Sequence, residues 1–234
     1  MAGTGSSTVF LSNRVLASLQ ADARAFIVGR AEMHRMETGD ILFDDGAPLS
    51  HAVFPLDCVV SFIADFPGHQ SVERASVGAE GYLGFALVLE SKNSLGKAVV
   101  QIPGKALWLA APDFELALQR DDGVRSAMLR YARSLIVQLM DTAACNSLHT
   151  AEQRVARWLL QARDRVGRDE FHVTQEAISQ LLALRRATVN AVCSDLMNTG
   201  AITYNRGHLI VTDREALHAR CCTCYDRIRL ATKC

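Results

Sequence analysis

The sequence predicts an α+β chain in three parts: an N-terminal antiparallel β-roll with leading helices (residues 1–122), a long helix and hinge (123–149), and a helical unit closed by a β-hairpin (150–234). Three observations predict it. Residues 39–110 carry short β-type runs separated by turn residues, the texture of a small barrel or jelly roll. Residues 123–148 hold no Pro, and no Gly after the first position. Residues 173–213 read as helix, break, helix and hairpin in succession.

The elements follow in order. Residues 13–35 place Leu16, Leu19, Ala23, Phe26 and Ile27 at helical spacing, which predicts one or two short helices. The β-type runs are Ile41-Leu42-Phe43, Ala52-Val53-Phe54, residues 59–63, residues 98–102 and residues 106–109. Asp44-Asp45-Gly46, Pro55, Pro67-Gly68, Gly78, Gly81, Gly84 and Pro103-Gly104 punctuate them. A helical pattern resumes at Pro112-Asp113. In the long helix, Met128, Ala132, Leu135, Leu139, Thr142 and Asn146 alternate steps of four and three, the seam of a short coiled coil, which predicts pairing with a second copy. Thr150 and Gln153 form a capping signal for a helix over 151–166, so the hinge falls near His149.

The last third is the most informative. From Thr174-Gln175-Glu176, a helix buries Ile178, Leu181 and Leu182. After a break at Ala183-Leu184-Arg185, a second helix runs from about Arg186 to Asn198 and is stopped by Gly200. Its inward residues are Val189, Val192, Cys193 and Leu196; Arg185, Arg186, Thr188, Asn190 and Ser194 face outward. Ile202-Thr203-Tyr204 and residues 208–211 make a hairpin about Asn205-Arg206-Gly207. A helix with a polar, arginine-rich start, packed on a preceding helix and followed by a wing, can place side chains in a major groove. Net charge is zero, but the distribution is uneven. Residues 1–149 hold 12 Lys and Arg against 16 Asp and Glu, and residues 150–234 hold 13 against 9. The basic excess falls on the winged helix-turn-helix.

The segment RRATVNAVCSDLMNTGAITYNRGHLIVTD resembles the recognition helix and wing of the Crp/Fnr regulators, and the order helix, β-roll, long helix, helix-turn-helix and wing resembles the whole layout of that family. The resemblance implies a cytoplasmic homodimer that binds double-stranded DNA at a palindromic operator, engages RNA polymerase if it activates, and carries an effector-type, cyclic-nucleotide-binding-like roll. It implies that Arg186 reads a base, a task for which the planar guanidinium fork suits guanine. Arg185 and Thr188 are then phosphate contacts. Thr174 and Gln175 are further candidates for phosphate, Asn190 for a base edge, and Arg206 and His208 for the backbone at the wing. Ala187 stands where the family's type member carries a glutamate, so the operator of that member is not expected to carry over unchanged.

In the roll, Gly84 keeps the glycine of the family's cyclic-nucleotide cassette, but Phe85 replaces its ribose-binding glutamate and Gly96 stands near its phosphate-pairing arginine. Lys97 offers phosphate only a point charge. Gly84, Phe85, Gly96 and Lys97 are thus a candidate pocket for an unknown small-molecule effector other than cyclic AMP, or the protein acts constitutively. Two alternatives stay open: a cyclic-nucleotide receptor, and a thiol or metal redox sensor.

Cys221, Cys222 and Cys224 cluster, with Cys234 at the end of the sequence, but no second ligand pair lies at zinc-site spacing, so no metal or other cofactor is expected. Cys145 and Cys193 read as small buried hydrophobes, and His51 and His69 as turn residues rather than ligands. No run approaches the ~18 apolar residues of a membrane span, residues 1–7 lack a basic-then-apolar leader, and no catalytic motif is visible. A regulator without enzymatic activity or membrane partner is expected.

Overall fold

A computed structural model describes residues 10–67 and 70–232 of the 234. His69 and Cys234 lie outside the described residues. A 3-10 turn leads into helices α1 (Arg14–Ala17) and α2 (Ala21–Val28). Seven strands follow: β1 (Glu32–Met36), β2 (Ile41–Phe43), β3 (His51–Pro55), β4 (Val59–Phe66), β5 (Gln70–Val77), β6 (Lys97–Ile102) and β7 (Gly104–Ala110). They form two antiparallel sheets, ordered β1-β7-β3 and β2-β6-β4-β5, the two layers of the roll.

Residues 32–35, placed by their spacing within a helical segment, belong instead to strand β1. Only Met36 of the strand's five residues is buried. The strand is held by pairing with β7 from Glu32↔Trp108 to Met36↔Gly104, a backbone interaction that apolar spacing does not report. Strand β5, polar along most of its length, escapes sequence reading for the same reason. It pairs with β4 from Val60↔Val77 to Phe66↔Gln70.

Helix α3 (Ala111–Arg120) leads to the 27-residue α4 (Asp122–Leu148). Asp121 caps α4, its carboxylate accepting from the backbone N–H of Gly123 at 2.7 Å. The helix ends at Leu148, and His149 is extended. Thr150 and Gln153 form the expected capping box on α5 (Ala151–Val166). Strand β8 (Glu170–His172), α6 (Gln175–Leu181), α7 (Arg186–Asn198), β9 (Ile202–Asn205) and β10 (His208–Val211) make the helix-turn-helix and its three-stranded wing, ordered β8-β10-β9. Two further helices, α8 (Arg214–Ala219) and α9 (Cys224–Ala231), return the chain to α4. Among the described residues no helix is long and apolar enough to cross a membrane.

The long helix requires a correction. Met128, Ala132 and Leu135, expected at a seam with a second copy, are buried within the chain itself, Met128 and Leu135 in the core beneath the roll. The buried positions Val124, Met128, Tyr131, Leu135, Gln138 and Cys145 keep the three–four rhythm because one face of α4 lies on its own roll and on α9. The neighbouring face, with Leu129, Ile136, Leu139 and Met140, remains exposed. Of the other expected seam residues, Leu139 lies on this exposed face, Thr142 is half-buried and Asn146 is exposed.

The two ends of the chain have distinct cores that meet at a junction. The core of the helix-turn-helix unit includes Val59, Ile63 and Ile102 from the roll, packed with Trp158 and Leu159 of α5. A buried polar network reinforces this junction. Arg165 donates from Nε to Glu80 at 2.8 Å, from Nη1 to Ser76 at 2.8 Å and from Nη2 to Gln138 at 3.1 Å.

Candidate nucleic-acid interface

Helix α7 is positioned from beneath. Val189, Cys193 and Leu196 are fully buried and Val192 nearly so, against Ile178 and Leu181 of α6. Periodicity then fixes the opposite face. Arg185, Arg186, Ala187, Asn190 and Ser194 are exposed and Thr188 is half-buried. The turn between the helices passes through Ala183 at φ +49, and Arg185 is the N-cap of α7, with no side-chain bond tying it to the helix end. Arg185 therefore projects from the start of α7 and also lines a cleft of about 540 Å³ between the helix-turn-helix turn and Phe66, Ser71 and Val72 of the roll.

Arg186 stands 3.8 Å from Glu176 of α6, both well exposed. A pair this long and this wet is worth little, so the guanidinium is available to a stronger acceptor. Thr174 is committed otherwise. Its Oγ1 accepts from the backbone N–H of Ala177 at 3.0 Å, so it serves first as the N-cap of α6, leaving only its O–H for a phosphate. Gln175 is half-buried at the first turn of α6.

The wing turns in two residues, Arg206 at φ +48 and Gly207 at φ +87, between the paired Asn205 and His208. Both central residues are left-handed, the geometry that matches the twist of a hairpin. The turn exposes Arg206 at its tip. His208 is exposed too, 3.3 Å from Glu170. Arg185, Arg186, Asn190, Arg206 and His208 thus remain solvent-facing on one helix and its wing, while Thr174 and Gln175 begin α6.

The four roll residues fare differently. Gly84 sits in the turn after Leu83, whose backbone pairs with Val53. Phe85 lays its ring edge-on to Phe62, 5.5 Å between centroids, and packs on the roll core. Gly96 is buried beside Phe62 and Arg74. Lys97, expected to be free for a phosphate, is instead paired with Asp65 at 3.1 Å, a contact that helps lower the Asp65 pKa, after the Ser71 hydroxyl that is its main cause. His51 bonds Ser50 and leans on Trp108.

Residues 153–220 match the family model of the Crp-like helix-turn-helix domain. No curated protein sequence matches the chain. Solved structures do resemble it. FixK2 from Bradyrhizobium japonicum is 18% identical, covering 82% of this chain and 98% of its own at a TM-score of 0.68. TTHB099, a CRP-family transcriptional regulator from Thermus thermophilus, is 19% identical over 80% of this chain and 95% of its own, with a TM-score of 0.65. The c-di-GMP responsive global regulator CLP of Xanthomonas campestris is 14% identical over 83% of this chain and 100% of its own, TM-score 0.64. Fold and family model together define a protein with a helix-turn-helix domain at its C-terminal end. Within that class, residues 153–220 are a Crp-like helix-turn-helix domain, and the chain as a whole shares the roll-and-long-helix fold of these solved structures.

Proposed function

We propose that the protein is a cytoplasmic, non-enzymatic regulator that binds an inverted-repeat operator as a homodimer, each copy inserting α7 into a major groove. The observation that carries this reading is the exposed row Arg185, Arg186 and Asn190 on a helix whose other face is wholly buried. Arg186 reads a guanine edge, Asn190 reaches a neighbouring base, and Arg185, Thr188, Gln175, Thr174, Arg206 and His208 hold the phosphates on either side. The second copy docks on the exposed face of α4. Leu129, Ile136, Met140 and Ala143 lie there at steps of seven, four and three, one position away from the seam expected from the sequence.

The signal is something other than cyclic AMP, or the protein is constitutive. Phe85 fills its position with a ring packed on Phe62, and Lys97 is already paired with Asp65. Contact with RNA polymerase follows if the regulator activates.

Selection of bound sequences from random DNA, with and without cyclic AMP, tests the reading. The expected motif is a two-fold inverted repeat with half-sites spaced by about 10 base pairs, unchanged by the nucleotide. A single asymmetric half-site would overturn the dimer, and a motif recovered only with cyclic AMP would overturn the account of the roll.

A further inference from the structure

The long helix ends where the C-terminal helix begins, and metal-ligating side chains meet there. Cys145 lies one turn before the end of α4, and His149 is its C-cap. Cys224 opens α9, and Cys222 stands just before it. The sulfurs of Cys145, Cys222 and Cys224 and a ring nitrogen of His149 all lie within 4.8 Å of one another. Cys145 Sγ is 3.5 Å from Cys222 Sγ, and Cys224 Sγ is 3.7 Å from His149 Nδ1.

These separations match a single ion. A tetrahedral centre with metal–sulfur bonds of about 2.3 Å has ligand-to-ligand edges of about 3.8 Å. An iron–sulfur cluster spreads its ligands over different iron atoms and needs a wider set. Three thiolates and an imidazole are soft to borderline ligands, which favour zinc over magnesium or calcium. Four protein ligands leave no open position, as in a structural site rather than a catalytic one.

The surroundings point the same way. The three buried cysteines form a cluster of their own, outside both hydrophobic cores, so they are not filling a larger apolar interior. Arg157 is buried, and its Nε has no hydrogen-bond partner; its charge acts on both Cys145 and Cys221. Among the described residues no carboxylate forms an ion pair with it. A divalent cation with three thiolates and one neutral imidazole carries one negative charge, which a buried guanidinium offsets.

We propose that Cys145, His149, Cys222 and Cys224 hold one tetrahedral zinc-type divalent cation that fastens the C-terminal helix to the end of the long helix. Each thiol gives up its proton on coordination, so uptake of one ion releases three protons to solvent, with no change of oxidation state. This assignment does not depend on the DNA reading, because metal content is measured without DNA.

The test is elemental analysis of the full chain, purified without an affinity tag under reducing conditions, together with Co²⁺ titration followed by visible absorption. One zinc per chain is expected, and a Co²⁺ spectrum of tetrahedral type with a thiolate charge-transfer band. Cys145→Ser, Cys222→Ser and Cys224→Ser should each weaken Co²⁺ binding by more than about 100-fold, since even outer-shell partners are worth 10- to 100-fold. Cys58→Ser and Cys193→Ser should bind as the parent does. His149→Ala keeps all three thiolates, so it should retain the charge-transfer band with a shifted visible spectrum; this separates loss of a ligand from loss of the fold. Substoichiometric zinc after reconstitution, an octahedral Co²⁺ spectrum, undiminished binding by Cys222→Ser, or a Cys145–Cys222 disulfide in place of metal would each overturn the site.

Discussion

Arg186 and Thr188 lie two residues apart on α7, yet they should behave differently on DNA. Arg186 is exposed, and its only ion pair among the described residues is the long contact with Glu176. If it donates a two-pronged bond to guanine, Arg186→Ala costs about 1–3 kcal/mol at one symmetric pair of base positions and relaxes preference there. Thr188 is half-buried beside the helix start, where a phosphate contact weakens every sequence alike. Competition binding on operators altered one base at a time distinguishes the two. Equal losses for Arg186→Ala on operator and on random DNA would reduce it to a phosphate contact. Residue identity also bears on the roll, where a single ring, Phe85 against Phe62, occupies what the Crp/Fnr resemblance marks as a ribose position.

At the scale of elements, α4 divides its surface between two tasks. One face is buried in the chain; the other leaves Ile136 54% and Met140 69% exposed. Apolar side chains this exposed at helical spacing mark a contact surface. Ile136→Asp and Met140→Asp should therefore shift the protein from dimer to monomer in sedimentation equilibrium while leaving the circular dichroism spectrum intact. Burying like charges against each other costs more than the lost apolar contact alone. Changes at Met128 should instead lower stability without a specific effect on association, because that side chain has no exposed surface. A dimer that survives both aspartate substitutions would place the interface elsewhere.

At the scale of the molecule, the reader is fastened to the roll by Val59, Ile63 and Ile102, which pack into its core, and by Arg165. Arg165 and Glu80 are each only 5% exposed, and Glu80 also accepts from the backbone N–H of Gly78 at 3.1 Å. Removing one partner leaves the other charge buried without compensation. Arg165→Ala should thus cost about 3–5 kcal/mol in urea unfolding, whereas the double change Arg165→Met with Glu80→Gln should recover a large part. A loss below about 1 kcal/mol for Arg165→Ala would mean that water reaches the network and screens it. Since Arg165 bonds Gln138 of α4 and Ser76 of the roll together, any movement of α4 must be transmitted to α5 and the reader, or break these bonds.

The elements whose apolar residues repeat at short range were readable without the fold: the helix-turn-helix, its outward row from Arg185 to Asn190, the wing hairpin though not its exact turn, the capping box at Thr150 and the long helix. Local periodicity fixes which side chains share a face, and turn chemistry fixes where a helix stops, so these features need no knowledge of distant partners. The sequence by itself could not say what covers each face. The seam of α4 was legible as a stripe, but only the fold decides that Met128 and Leu135 lie on the roll while Ile136 and Met140 stay outside. Strands β1 and β5 were missed because backbone pairing, not apolar alternation, holds them. The same limit hid the meeting of Cys145 and His149 with Cys222 and Cys224, and of Arg165 with Glu80. Each joins residues some 75 to 85 positions apart. Such contacts carry no local periodicity; they exist only once tertiary packing has brought α9 back to the end of α4 and α5 against the roll.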